Sequence, residues 1–204
     1  MGPMIEILRG EIGKLRREST DKRYFIDPHE LKTLLTRDII KGVIHECSIP
    51  EYQKPNIINL ISNEGKIIFG ILVWKKWHHE LIRFIENNVL DEQLPLDIET
   101  AEKVATKTLG WELARNVQWE FLPRILTKDM SGYHCKFRDE EILPFVHEQW
   151  LGEGGFGDVF KISVSPSLQT IYSEPVCGYR HACLPIDVTN DACREMKSSL
   201  SERE

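Results

Sequence analysis

Apolar residues recur at intervals of three and four through most of the first 120 residues, and that period sets what this part of the chain can fold into. It is clearest over residues 66–88, where Ile67, Ile71, Trp74, His78, Leu81 and Ile85 form one stripe along what reads as the longest helix. Asn87-Asn88 and Leu94-Pro95 close it. Residues 4–17 show the same period through Ile5, Leu8, Ile12 and Leu15, and their basic end, Lys14 to Arg17, suits a solvated helix C-terminus. Asp27-Pro28-His29-Glu30 is a strong start signal, with Asp27 as cap, Pro28 in the first turn and Glu30 completing a capping box. Leu31, Leu35 and Ile39 then predict a helix running to about Cys47, before Ser48-Ile49-Pro50 ends it. A helix over residues 55–62 follows. Another covers residues 97–126 through Ala101, Val104, Ala105, Leu109, Leu113 and Val117, with Gly110 expected as a break and Pro123 as an end.

Composition narrows the class. About two fifths of the 204 residues are hydrophobic, enough for a core. The net charge of −6, with lysine and arginine scattered among acids, gives no basic stripe, so nucleic acid is not an expected partner. The N-terminus is charged too early for a signal peptide. The most apolar run, residues 67–74, is far short of the roughly twenty residues that span a bilayer, so no membrane is expected either. Five scattered cysteines, Cys47, Cys135, Cys177, Cys183 and Cys193, read as reduced thiols, which makes the cytoplasm or nucleus the expected compartment.

At Ile142 the character changes. Leu143-Pro144-Phe145 stops helix formation, and Phe160 to Val164 alternate apolar and polar until Ser165-Pro166. Between them stands Gly152-Glu153-Gly154-Gly155-Phe156-Gly157, a G-x-G-x-x-G string. Alone it fits both dinucleotide-binding and kinase loops. A dinucleotide loop must open a helix, whereas Asp158-Val159-Phe160-Lys161-Ile162-Ser163-Val164 is strand-like. A strand, a glycine turn and a second strand are therefore expected, with Val159 completing the longer pattern G-x-G-x-x-G-x-V.

Leu151 to Lys161, LGEGGFGDVFK, resembles the start of the protein kinase catalytic domain. Gln118-Trp119-Glu120-Phe121-Leu122-Pro123 and Ile142-Leu143-Pro144-Phe145 add a resemblance to filamentous-fungal protein-kinase-domain proteins, in which a helical region leads into such segments and then the glycine loop. The resemblance implies ATP as ligand, accompanied by magnesium in the intact family, and phosphorylation of serine or threonine in proteins. It also implies that Leu151 and Val159 roof the adenine, that Gly152, Gly154 and Gly157 shape the loop around Glu153 and Gly155, and that Phe156 sits at its tip.

The rest of the kinase pattern is missing. No lysine in V-A-x-K context follows the loop, and neither H-R-D nor D-F-G occurs. Lys161 comes too early, and Glu195 lacks its lysine partner. Phosphoryl transfer by this chain is not expected, and the abrupt end of the resemblance after about Glu174 reads as truncation of a longer kinase. The alternative is a non-catalytic helical module that docks a protein partner or regulates a kinase.

The expected architecture is thus mainly α with a kinase-like β-hairpin: residues 1–26 as helix and linker, 27–140 as helical module, 141–175 as kinase start and 176–204 as irregular tail. Other constellations carry less. Cys177, His181, Cys183 and Cys193 lack the paired spacing of a zinc knuckle. His78-His79-Glu80 is not H-E-x-x-H, and His78 reads as a packed histidine. Trp74, Trp77, Trp111, Trp119 and Trp150 read as core aromatics rather than a cofactor box.

Overall fold

The computed structural model describes residues 2–127, 137–154, 157–170 and 180–185, with the backbone alone at 153–154, 157–159 and 180–185. The chain divides into two units, Met1–Glu18 with Arg23–Pro123, and Ser19–Lys22 with Arg124–Glu204.

The first unit is built on helices whose apolar stripes meet in one core. In order they are α1 (Pro3–Leu15), α2 (Pro28–Leu34), α3 (Arg37–Glu46), α4 (Lys54–Glu64), α5 (Lys66–Trp74), α6 (Leu81–Glu86), α7 (Ile98–Val104), α8 (Lys107–Glu112) and α9 (Gln118–Phe121). Two short strands, β1 (Arg17–Glu18) and β2 (Tyr24–Phe25), pair antiparallel between α1 and α2. Helix α1 buries Ile5, Leu8 and Ile12 in the shared core, so it belongs with the helical module rather than to a separate linker. Helix α5 is buried on every side from Ile67 to Val73, which is what an all-apolar sequence of this length does inside a protein. Among the described residues no single helix is long and apolar enough to cross a membrane.

Several expected helices are shorter than their periodicity suggests. Residues 27–47 split into α2 and α3 because the Thr36 hydroxyl accepts from the Ile39 N–H and starts a second helix. Asp27 caps α2 through the His29 N–H, but Glu30 pairs with Arg17 instead of closing a capping box. Residues 66–88 are not one helix. The chain turns at Lys76, which has a φ of 62°, passes through a 3-10 turn at His78–Glu80, and resumes as α6. In residues 97–126 the break falls at Ala105-Thr106, not at Gly110, and a π-helical turn at Leu113–Val117 precedes α9. Trp119 is buried, whereas Trp111 and Trp150 are more than half exposed and contribute little to any core.

Two helix N-termini are closed by acids distant in sequence. The Glu46 carboxylate accepts from Met4 N–H at 2.9 Å and Ile5 N–H at 3.1 Å. The Asp91 carboxylate accepts from Ile67 N–H at 3.0 and 3.1 Å and from Ile68 N–H at 3.1 Å. The first amides of a helix have no partner within it, and a carboxylate there also meets the positive end of the helix dipole. Burial nevertheless pushes the Asp91 carboxyl above its usual range, more strongly than the Ile67 and Ile68 amides pull it down. The folded chain therefore holds that proton more tightly than the unfolded chain. The contribution is full below the unfolded pKa and is lost as pH rises through the raised one. Asp91→Ala is expected to cost about 1–2 kcal/mol at pH 7, and more near pH 4. Urea unfolding of both proteins at the two pH values checks this, and a penalty that shrinks at acid pH would contradict it.

In the second unit a three-stranded antiparallel sheet runs in the order β3 (Phe145–Gly154), β4 (Gly157–Val164), β5 (Arg180–Pro185). Strand β5 lies where the sequence suggested only an irregular tail. It pairs with β4 from Val164↔Arg180 to Val159↔Pro185, long-range pairing that its prolines and cysteines do not advertise. In this unit Leu126, Ile142, Phe145, Ile162, Val164 and Leu168 are buried. The boundary between units falls at Pro123, earlier than residue 140, because Arg124 N–H already bonds Ile142 O and Leu126 pairs with Gln169.

Candidate functional site

The glycine string closes a β-hairpin. Strands β3 and β4 pair through Trp150↔Phe160, Gly152↔Val159, Glu153↔Asp158 and Gly154↔Gly157. Gly155 and Phe156, which connect the last pair, lie outside the described residues. The glycines therefore join two antiparallel strands, and no helix follows them. Mainly helical content with an antiparallel hairpin is the expected class.

The local geometry follows from the sequence. Between Trp150↔Phe160 and Gly152↔Val159 the register slips by one residue, leaving Leu151 as the extra residue of a bulge. Gly152 accommodates it with a φ of +156°, outside the comfortable range of residues bearing a β-carbon. A β-carbon built there would meet nothing within 4 Å, so backbone conformation rather than crowding calls for glycine. Glycine at 152, 154 and 157 leaves those three positions of the hairpin end without β-carbons.

Burial falls off sharply along the hairpin. Ile162, Ser163 and Val164 are buried, while His147, Glu148, Gln149, Trp150 and Leu151 are exposed. Leu151 is 48% exposed and Trp150 is 58% exposed, so both place apolar surface on the outer half of the sheet. Leu151, the bulge residue, lies next to the Gly152↔Val159 pair.

The segments leading to the hairpin have structural work. In Gln118-Trp119-Glu120-Phe121, the fully buried Gln118 accepts from Leu96 N–H at 2.7 Å and donates to Leu96 O at 2.9 Å and Ala114 O at 2.7 Å. Trp119 Nε1 donates to the same Ala114 carbonyl at 3.0 Å. Together they satisfy an acceptor at the π-helical turn. Glu120 pairs with Arg16, whose guanidinium also lies over the rings of Tyr24 and Trp74. In Ile142-Leu143-Pro144-Phe145, the Leu143 carbonyl accepts from Ser19 Oγ at 2.6 Å and the Phe145 carbonyl accepts from Thr20 N–H at 2.8 Å, which anchors the start of β3. Periodicity alone passed over Gln118, yet Ala114, Gln118 and Phe121 lie at i, i+4 and i+7. A polar residue on an apolar stripe was the available signal.

The other candidates resolve differently. Cys177 and Cys193 lie outside the described residues, as do Glu195 and the side chains of His181 and Cys183. Among the described residues no group of His, Cys, Asp or Glu could hold a metal ion. Burial raises the Cys47 thiol pKa, the reverse of what a nucleophile needs. Lys54, 5% exposed, is spent on the Glu51 carboxylate and the His45 carbonyl at the end of α3. Glu80 is held by Arg83 at 3.1 Å and His79 at 3.6 Å.

No family model, curated protein or solved structure matches this chain.

Proposed function

We propose that the second unit is a nucleotide-contacting hairpin of the protein-kinase type, carried behind a helical module, and that this chain binds ATP without transferring its phosphate. The observation that carries the reading is the pairing of β3 with β4 out to Gly154↔Gly157, with the Leu151 bulge and positive-φ Gly152 just before the glycine end. That geometry suits a main chain laid against a triphosphate. The three-strand meander is consistent with the beginning of an N-lobe. Leu151, Gly152, Glu153, Gly154, Gly155, Phe156, Gly157 and Val159 are the proposed contacts. Strand β5, Arg-His-Ala-Cys-Leu-Pro, carries no lysine to pair with the α- and β-phosphates, and the sequence supplies neither a catalytic aspartate nor a metal-binding one.

Thermal unfolding with and without ATP and magnesium tests this. At a nucleotide concentration about 100 times the dissociation constant, the melting temperature is expected to rise by roughly 5–10 °C. Gly154→Asp, which sets a carboxylate against the phosphates, should abolish the rise. No shift at millimolar nucleotide would overturn the nucleotide reading.

One observation favours the second reading, a non-catalytic helical interaction or regulatory module: the helical unit closes an extensive core from its own residues. On that reading the nucleotide shift is absent and Gly154→Asp is silent.

A further inference from the structure

The polypeptide bends between α5 and α6 at a place where charge is unevenly served. Lys76 takes a left-handed conformation with a φ of 62°, Trp77 N–H reaches back to Leu72 O at 2.7 Å, and Glu80 N–H bonds Trp77 O at 2.8 Å. Helix α1 holds this bend: Arg9 Nε donates to Trp74 O at 3.0 Å, and Glu6 lies 3.7 Å from Lys76 Nζ. Within the bend, His78 Nδ1 is buried and has no hydrogen-bond partner. A neutral imidazole tolerates this, because an unprotonated ring nitrogen in a packed site lacks only a donor. An imidazolium does not, because both of its nitrogens carry protons that require acceptors.

The surrounding charges give no relief. From α1 comes Glu6, already shared between Arg9 at 3.5 Å and Lys76 at 3.7 Å. The end of α5 and the bend bring Lys75, bound to Glu112 of α8 at 2.7 Å, and Lys76. His79 packs edge-on to His78 with ring centroids 6.1 Å apart, and both it and Arg83 of α6 compete for the buried Glu80 carboxylate. Each nearby acid is therefore engaged by a cation other than His78. Burial, reinforced by His79, holds the His78 pKa below its ordinary value despite Glu6.

We propose that the bend between α5 and α6 is an acid-sensitive latch: protonation of His78 drives its ring out to water and frees the bend from α1. Because the folded chain disfavours the His78 proton, the stability this residue contributes is full above the unfolded pKa and is lost as pH falls from there through the depressed folded value. The device acts in mildly acidic conditions, below about pH 6.5.

Two measurements on the full chain test it. The melting temperature of the unmodified protein is expected to fall between pH 7.5 and 5.5 by on the order of 2–4 °C more than that of His78→Phe, which keeps a ring in the site but cannot be protonated. His79→Gln should retain most of the acid loss, since burial is the larger cause of the shift. If His78→Phe fails to fold, hydrogen exchange of the unmodified protein decides the matter. Protection of the Trp77 and Glu80 amides is expected to drop at least about tenfold at the lower pH, while that of Ala105 and Gly110 in the α7–α8 hairpin changes little. An acid loss that persists in His78→Phe, or a bend whose protection does not change with pH, overturns the proposal.

Discussion

Replacing Gln118 with leucine is expected to lower the unfolding free energy by about 3 kcal/mol, although the substitution is nearly isosteric and adds apolar surface. The buried amide serves three backbone groups at once, namely Leu96 N–H, Leu96 C=O and Ala114 C=O. Leucine can serve none of them. Ala114 O keeps the indole N–H of Trp119, but both Leu96 groups are left without a partner in a site closed to water. A buried, unsatisfied backbone group costs about 1–3 kcal/mol, against about 1 kcal/mol returned by the apolar side chain. Gln118→Glu separates the two halves of the argument. Its carboxylate still accepts from Leu96 N–H, but it faces two carbonyl oxygens with nothing to donate, so at neutral pH it should be at least as damaging as leucine. Protonation restores one donor, so part of that loss should be recovered at pH 4 relative to the leucine variant. Urea denaturation reads both. A Gln118→Leu penalty below about 1 kcal/mol would mean that the clamp is not satisfied as described.

The Gln-Trp-x-Phe-Leu segment resembles one that leads into a kinase glycine loop. In the fold, Gln118, Trp119 and Phe121 are explained by the interior of the helical unit, and Glu120 by Arg16. Such a segment is consistent with the nucleotide reading but does not support it independently. The support comes from the hairpin.

What the sequence made legible were features whose cause is local. Asp27-Pro28 starts a helix where expected, because a cap and a fixed φ act over three residues. The strand, glycine turn and strand were legible because β-branched alternation and a glycine string cannot be read as a helix. What escaped has a distant cause. The stripe through Trp74, His78 and Leu81 keeps helical spacing across a bend that breaks the helix. Glu46 and Asp91 close helices 40 and 20-odd residues away in sequence, and neither position has any local signature. Strand β5 becomes a strand by pairing with β4, not by its own propensity. Residue type alone suggests the interior for Trp111 and Trp150, but it takes no account of which way a helix or strand faces.

Gly110 shows the same limit in a form that mutation can test. The sequence suggests a helix breaker, yet Gly110 lies inside α8 and its N–H bonds Thr106 O at 2.7 Å. A β-carbon added there would sit 2.8 Å from Glu102 N and 2.9 Å from both Ala101 C and Ala101 O. All three are main-chain atoms of α7, which cannot swing aside as a side-chain end would. Glycine at this position sets how closely α7 and α8 approach, so any larger residue must force the two helices apart. Gly110→Val is expected to cost about 3 kcal/mol or more, combining overpacking against backbone with the poor fit of a β-branched side chain in a helix. Gly110→Ala should cost somewhat less, since better helix propensity returns up to about 1 kcal/mol. Gly10 supplies the comparison: it lies mid-helix in α1, and a β-carbon there would meet nothing within 4 Å. Gly10→Ala is therefore expected to stabilise by roughly 0.5–1 kcal/mol. The same added methyl group thus has opposite signs at two helical glycines, for reasons confined to what each one faces. Urea midpoints of the two alanine variants decide it, and stabilisation by both would show that α7 and α8 do not approach this closely.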